Sequence, residues 1–310
     1  MAITKASVNS RVSFQDQISG NKWKSFFLMA IILVVFVLIG AVIGMIYQAD
    51  FFIIMIIAII ISALYLWISY YNSDKIALAS VGAKEAPNSG NFRQYHIVVD
   101  NMAIASGLPK PRVYYMNDSQ INAFASGRNP EHAVICVTTG TLEKLNKQEL
   151  EGVIGHEMSH IANYDIRFMT LAAVMVGMIA IVSEIFLRSL WFKGGGSSGD
   201  SDSKGNAVLM IIGIALAILA PIFVQLVQLA ISRRREYVAD ANAVQFIRSP
   251  TGLVGALEKI KSEQVSGGVK KPIPKAVAPL FMADPFKTKV SGLFMTHPPL
   301  EKRIELLERM

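Results

Sequence analysis

Disulfides are excluded at once: the 310 residues hold one cysteine, Cys136, so no intramolecular bridge can form and nothing ties the chain to an oxidising compartment. Charge is scarce too. Charged residues make up 17% against 52% hydrophobic, more apolar than an ordinary soluble domain, which points part of the chain toward lipid. Also lacking is any basic stripe interleaved with stacking aromatics, so the formal charge of +7 does not read as nucleic-acid binding. Basic residues beside membrane spans explain that excess more economically. Cys136 reads as a buried strand residue.

What the chain has in quantity is long apolar runs. The first, Phe26 to Tyr47, and the second, Phe51 to Tyr71, are each long enough, at about 1.5 Å per residue, to cross a hydrocarbon core of roughly 30 Å. Only Gln48, Ala49 and Asp50 separate them, which predicts a tight antiparallel hairpin. The first run is too long for the apolar part of a signal peptide, and the second follows too closely for cleavage. A third run, Phe168 to Trp191, and a fourth, Ala207 to Ile231, are joined by a Gly/Ser/Asp-rich connector at 192–206. Glu184 and Arg188 stand four apart in the third run, either as an interfacial pair or as a functional one, and Pro221 is the kind of kink that lipid-embedded helices tolerate.

Flanking charge sets the orientation. Lys22 and Lys24 precede the first run, Arg167 precedes the third, and Arg233, Arg234 and Arg235 follow the fourth. Both termini and the middle segment therefore face the cytoplasm. The expected organisation is a loose tail at 1–25, a transmembrane hairpin at 26–71, a cytoplasmic segment at 72–167, a second hairpin at 168–231 and a cytoplasmic segment at 232–310. Within the middle segment, Phe92 to Ser106 has helical apolar spacing ended by Gly107, Pro109 and Pro111, while Arg112 to Met116, Ala123 to Ala125 and Ala133 to Val137 read as short strands. From Lys147 onward Leu150, Val153, Ile154, Met158 and Ile161 recur on one helical side. The predicted fold is predominantly α: four membrane helices with a small cytoplasmic α+β domain.

That last helix carries the most specific pattern, His156-Glu157-Met158-Ser159-His160, an H-E-x-x-H. Residues four apart on a helix share a face, so both imidazoles reach one cation, and neutral imidazole suits zinc. Glu157, beside the first ligand, is placed to take a proton from water activated by the ion. A catalytic zinc takes a third protein ligand, and the topology names one. His160 stands about two turns before the third run and Glu236 about a turn and a half after the fourth, so a hairpin that leaves and re-enters one face brings Glu236 to the depth of His160. Asp240, on the same helical face as Glu236, is placed to accept the second N–H of a ligating imidazole. His96 reads instead as an amphipathic-helix residue and His132 as a loop residue beside Pro130.

With these residues in view, the chain resembles the HtpX family of membrane metallopeptidases, relatives of the CAAX prenyl endopeptidases that share the gluzincin plan. The resemblance covers nearly the whole chain and rests on Asn122-Ala123-Phe124-Ala125, the H-E-x-x-H, Arg233-Arg234-Arg235-Glu236-Tyr237-Val238-Ala239-Asp240, and His297-Pro298-Pro299-Leu300-Glu301-Lys302-Arg303-Ile304. It implies one zinc ion held by His156, His160 and Glu236, with Glu157 as general base and Asp240 behind the ligands. It also implies that Asn122 lies on an edge strand pairing with the substrate backbone, that His297 helps hold or polarise the scissile carbonyl, and that Arg303 orders the site. Taken alone, His297 reads rather as a helix-start residue before Pro298 and Pro299. The implied activity is zinc-dependent proteolysis of misfolded or damaged membrane proteins at the cytoplasmic membrane, as part of a stress response, with the bilayer as a further partner.

Three other functions fit parts of the sequence. A processing peptidase of CAAX type would show a narrow cleavage preference. A zinc-binding adaptor without activity would have no use for Glu157, since structural zinc sites close all four positions with ligands. A transporter would need more polar groups in its spans than Glu184, Arg188 and a few neutral side chains. Val265 to Ser291, with Pro272, Pro274, Pro279 and Pro285, reads as a long loop close to the groove, either a gate or a packing segment.

Overall fold

The computed structural model describes residues 14–47, 51–173, 233–266, 277–283 and 298–310. The third apolar run beyond residue 173 with Glu184 and Arg188, the connector at 192–206, the fourth run and His297 lie outside the described residues. The architecture is mostly helical around one small sheet, as the alternating patterns predict.

Two long helices, Phe14–Tyr47 and Phe51–Tyr71, cover the first two apolar runs and pack on each other. Among the described residues no single helix is long and apolar enough to cross a membrane, although the bent pair Met55–Tyr71 and Ser73–Ser80, at 74°, passes by length and composition. The first helix begins well before its apolar run, so residues 14–25 are helix and not the expected loose tail. The reason is burial: Asn21 and Ser25 are shielded from solvent, Asn21 against the far end of the H-E-x-x-H helix.

The sheet has the order β1-β2-β4-β3, with β1 Lys84–Glu85, β2 Arg112–Met116, β3 Ala123–Ser126 and β4 Val134–Thr138. β4 runs parallel to β2, with Tyr114 opposite Cys136, and antiparallel to β3, with Phe124 opposite Cys136. Every residue of β4 is buried, and its alternate side chains serve two cores. Ile135 and Val137 join the core beneath the Arg93–Ser106 helix, while Val134 and Cys136 face Leu28, Leu78 and Phe168 on the other side. A sheet covered on both faces needs such a continuous apolar run. Burial pushes the Cys136 thiol well above its ordinary pKa, which keeps it an inert packing group.

The motif helix, Lys147–Ala162, is the centre of the fold. Asn146 caps it in a reciprocal pair with Glu149, satisfying donors that the first turn leaves open. The predicted side, Leu150, Val153, Ile154, Met158 and Ile161, is buried, but from Gly152 onward so is the opposite side. Three further helices enclose it: Arg93–Ser106, Arg233–Ile247 and Thr251–Ser266. The crossing with Thr251–Ser266 is set by two glycines. A Cβ on Gly152 would stand 2.5 Å from the Leu253 nitrogen, and one on Gly252 would stand 2.1 Å from the Gln148 carbonyl oxygen.

Candidate metal centre

Three helices bring the candidate residues together: the motif helix supplies His156, Glu157 and His160, the Arg233–Ile247 helix supplies Glu236 and Asp240, and the C-terminal Leu300–Leu307 helix supplies Arg303. His156, His160 and Glu236 each present a ligand atom within 4.8 Å of the others. The Nε2 atoms of the two imidazoles are 3.2 Å apart, with that of His156 3.6 Å from Glu236 Oε2 and that of His160 3.6 Å from Oε1. Ligands bound tetrahedrally at about 2.0–2.1 Å are separated by about 3.3 Å, so these spacings fit a zinc ion. Charge agrees with distance. Glu157, Asp165, Glu236 and Asp240 are buried together with the Arg303 guanidinium, and the partly buried Arg235 faces Asp165, so with neutral imidazoles the fully ionised cluster carries an excess of two negative charges that a dication offsets.

Each imidazole has its own carboxylate behind it. His156 Nδ1 stands 2.9 Å from Asp240 Oδ1, and Arg303 in turn donates to Asp240 through Nη2 at 2.6 Å and Nε at 2.8 Å. Arg303 Nη2 also lies 3.3 Å from His156 Nδ1, but that nitrogen cannot accept while it donates to Asp240. The shorter distance assigns the proton to the Asp240 side, which leaves the Nε2 lone pair for the ion. Burial holds the His156 pKa below its ordinary value, favouring the neutral ring that a metal needs. For Asp240 burial is the largest influence and opposes ionisation, yet the Arg303 charge and hydrogen bonds, joined by those of His156, together outweigh it and keep the carboxyl below the usual range.

His160 is held from the opposite side by Asp165, whose Oδ2 is 3.1 Å from Nδ1. Burial works to lower the His160 pKa, but the Asp165 bond and the Glu236 charge outweigh it and raise it to about 9. Burial raises the Glu157 carboxyl to about 7, close to the value at which one group can both accept and release a proton near neutrality. Its Oε1 is buried with no hydrogen-bond partner among the described residues.

Asn122 immediately precedes β3, the edge strand, but the outer side of that edge is taken by the chain itself. Phe281 bridges antiparallel to Phe124, and the Met282 amide donates to the Ala123 carbonyl at 2.9 Å. The Asn122 side chain closes the pairing, donating to the Ala283 carbonyl at 2.9 Å and accepting from the Ala283 amide at 3.2 Å. These residues come from the long proline-rich loop, whose described part is thus a strand partner. His96 contacts the Ala86 carbonyl and His132 contacts Asn129, both away from the cluster. Sequence reasoning passed over Asp165 and Asn21. An acid one short turn beyond a ligating histidine was the available signal for Asp165; Asn21 had none.

Comparison with known proteins agrees with this construction. Residues 89–310 match the model of peptidase family M48. A protein described as "Protease HtpX homolog" from Caldanaerobacter subterraneus subsp. tengcongensis is 48% identical over 251 residues, 80% of this chain and 81% of that one. Another so described, from Lactobacillus helveticus, is 40% identical over 300 residues, 95% of this chain and 99% of its own. Among solved structures, the crystal structure of S. mikatae Ste24p matches 95% of this chain and 67% of that chain with a TM-score of 0.51 at 17% identity, a likeness of fold. The chain therefore belongs to peptidase family M48, as a metallopeptidase of the HtpX family.

Proposed function

We propose that this metallopeptidase is a zinc-dependent endopeptidase of the cytoplasmic membrane that cuts misfolded or damaged membrane proteins. The observation that carries the reading is the convergence of His156, His160 and Glu236 on one point, with the buried carboxyl of Glu157 in the same cluster. When bound, zinc supplies Lewis acidity, which acidifies water and polarises a carbonyl. The rest is done by the chain. His156 and His160 offer Nε2, each ring fixed by a carboxylate at Nδ1, and Glu236 closes the ligand set. Glu157 takes the proton of the attacking water and passes it to the leaving amine, a role its raised pKa suits. Arg303 neutralises Asp240 and keeps it facing His156.

Substrate would add along β3 beside Asn122 as an extended segment, in competition with residues 281–283. Support for a membrane setting comes from the first two helices, where Phe26, Phe27, Phe52, Ile53, Ile56, Ile60 and Trp67 are exposed. So large an apolar surface belongs against lipid. On this reading four spans carry the catalytic segments, with the active site and both termini on the cytoplasmic side, and His297 contributes at the scissile carbonyl. The test is to purify the full chain and its Glu157→Gln variant in detergent, measure bound metal, and follow cleavage of an unfolded membrane protein with and without a chelator. Chelator-sensitive cleavage by the wild type, and cleavage reduced by about 10²–10⁴-fold in a zinc-loaded variant, is expected. Full activity in the variant, with trace-protease controls, would defeat the reading.

A further inference from the structure

The support behind His160 leaves the catalytic segments and ends on the first apolar helix. Asp165 is 1% exposed and spends its two oxygens differently. Oδ2 faces His160 Nδ1 at 3.1 Å, while Oδ1 accepts from Asn21 Nδ2 at 2.7 Å and from Arg235 Nη1 at 3.3 Å. The Asn21 amide nitrogen also donates to the Asn163 carbonyl at 2.9 Å, so both of its hydrogens are engaged at the end of the motif helix. Asn21 itself is buried on helix Phe14–Tyr47, and Ser25, one turn on, bonds back to its carbonyl.

We propose that Asn21 is a positioning residue for the metal ligand His160, acting through the Asp165 carboxylate. The physical reason is competition for Asp165. Arg235 attracts the carboxylate toward a full ion pair, and a carboxylate that turns to meet it loses its line to the His160 ring. A neutral amide pinned by two bonds fixes Oδ1 without adding charge, which leaves Oδ2 directed at Nδ1. The seat of the first apolar helix and the grip on the metal are thereby one network. The inference rests on the reading of His160 as a zinc ligand.

The test is zinc competition against a calibrated chelator on the detergent-purified full chain, with the visible spectrum of the cobalt(II)-loaded form as a report on ligand geometry. Asp165→Asn should weaken zinc by about 10–100-fold and Asn21→Ala by about 3–30-fold, each shifting the cobalt bands. Because Asn21 acts through Asp165, Asn21→Ala added to Asp165→Asn should cost no more than about twofold further. Ser25→Ala, whose hydroxyl bonds within the helix, should leave affinity and spectrum unchanged. If Asn21→Ala does not fold, Asn21→Ser, which withdraws the amide, meets the same criteria. Wild-type affinity and spectrum in the Asn21 variant, or full additivity with Asp165→Asn, would overturn the proposal. A wild type that binds no zinc, or a His160→Ala variant that binds it as tightly, would instead sink the ligand assignment beneath it.

Discussion

The motif helix and the N-terminal helix pair obey opposite rules. Around the first, charge is inside: His156, Glu157, Glu236, Asp240 and Arg303 are each at most 2% exposed. Along the second, apolar bulk is outside: Phe52 is 70% exposed, and Trp23 and Ile60 each 59%. In water both arrangements are costly, the one through desolvated charge and the other through bare hydrocarbon. On the proposed reading each is resolved by a different partner, a dication for the cluster and a bilayer for the helix pair. The difference lies in what surrounds each region, and each half can be tested separately.

The strongest way to break the metal half is to remove a ligand. His156→Ala, His160→Ala or Glu236→Ala should strip zinc from the purified protein and abolish cleavage with it, as elemental analysis and a peptidase assay would record. Glu157→Gln separates the two readouts: activity should fall by about 10²–10⁴-fold while zinc stays bound. Loss of zinc from that variant would show that Glu157 supports the ion and not the proton. Asp240→Asn should weaken zinc by about 10–100-fold, because the amide no longer offers a negative charge to His156 and Arg303. An unchanged affinity would leave Asp240 as a packing residue.

The lipid half is sharpened by charge placed on the exposed face. Ile56→Lys with Ile60→Lys should cost about 2.5–3.5 kcal/mol per charge if both sit near the bilayer centre, and should lower the fraction of chain that resists alkaline extraction from membranes. Full resistance in the double variant would take that face out of lipid. A smaller effect tests the packing that aligns the helices. Gly152→Ala meets the Leu253 backbone and should destabilise by about 1–3 kcal/mol, seen as a lower melting temperature. A melting curve identical to wild type would mean the two helices part at little cost.

Legibility in the sequence follows the range of the interactions. The motif helix was readable because its ligands and its apolar side repeat on one local period, and β2 was predicted at Arg112 to Met116, where it lies. Glu236 was reachable only through topology, by counting turns on either side of an apolar excursion. Asp165 offers only a weak signal, an acid shortly beyond a ligating histidine, because the chain turns through Asn163 and Tyr164, with Tyr164 at a φ of 59°, before the carboxylate comes back to His160. Asn21 was hidden by composition: scattered Ser and Asn suggest a loose tail, whereas the contact that makes it helical lies 142 residues away. A still longer separation, 161 residues between Asn122 and Ala283, hid the pairing of β3 with residues 281–283, which sit in a stretch whose prolines argue for a loop.

The most direct test is a structure of the purified full chain with anomalous diffraction recorded at the zinc edge. The account predicts one zinc ion bound at about 2.0–2.2 Å by His156 Nε2, His160 Nε2 and a Glu236 oxygen. A zinc ion held elsewhere, or by the two imidazoles with Glu236 turned away and no other donor in its place, would contradict it.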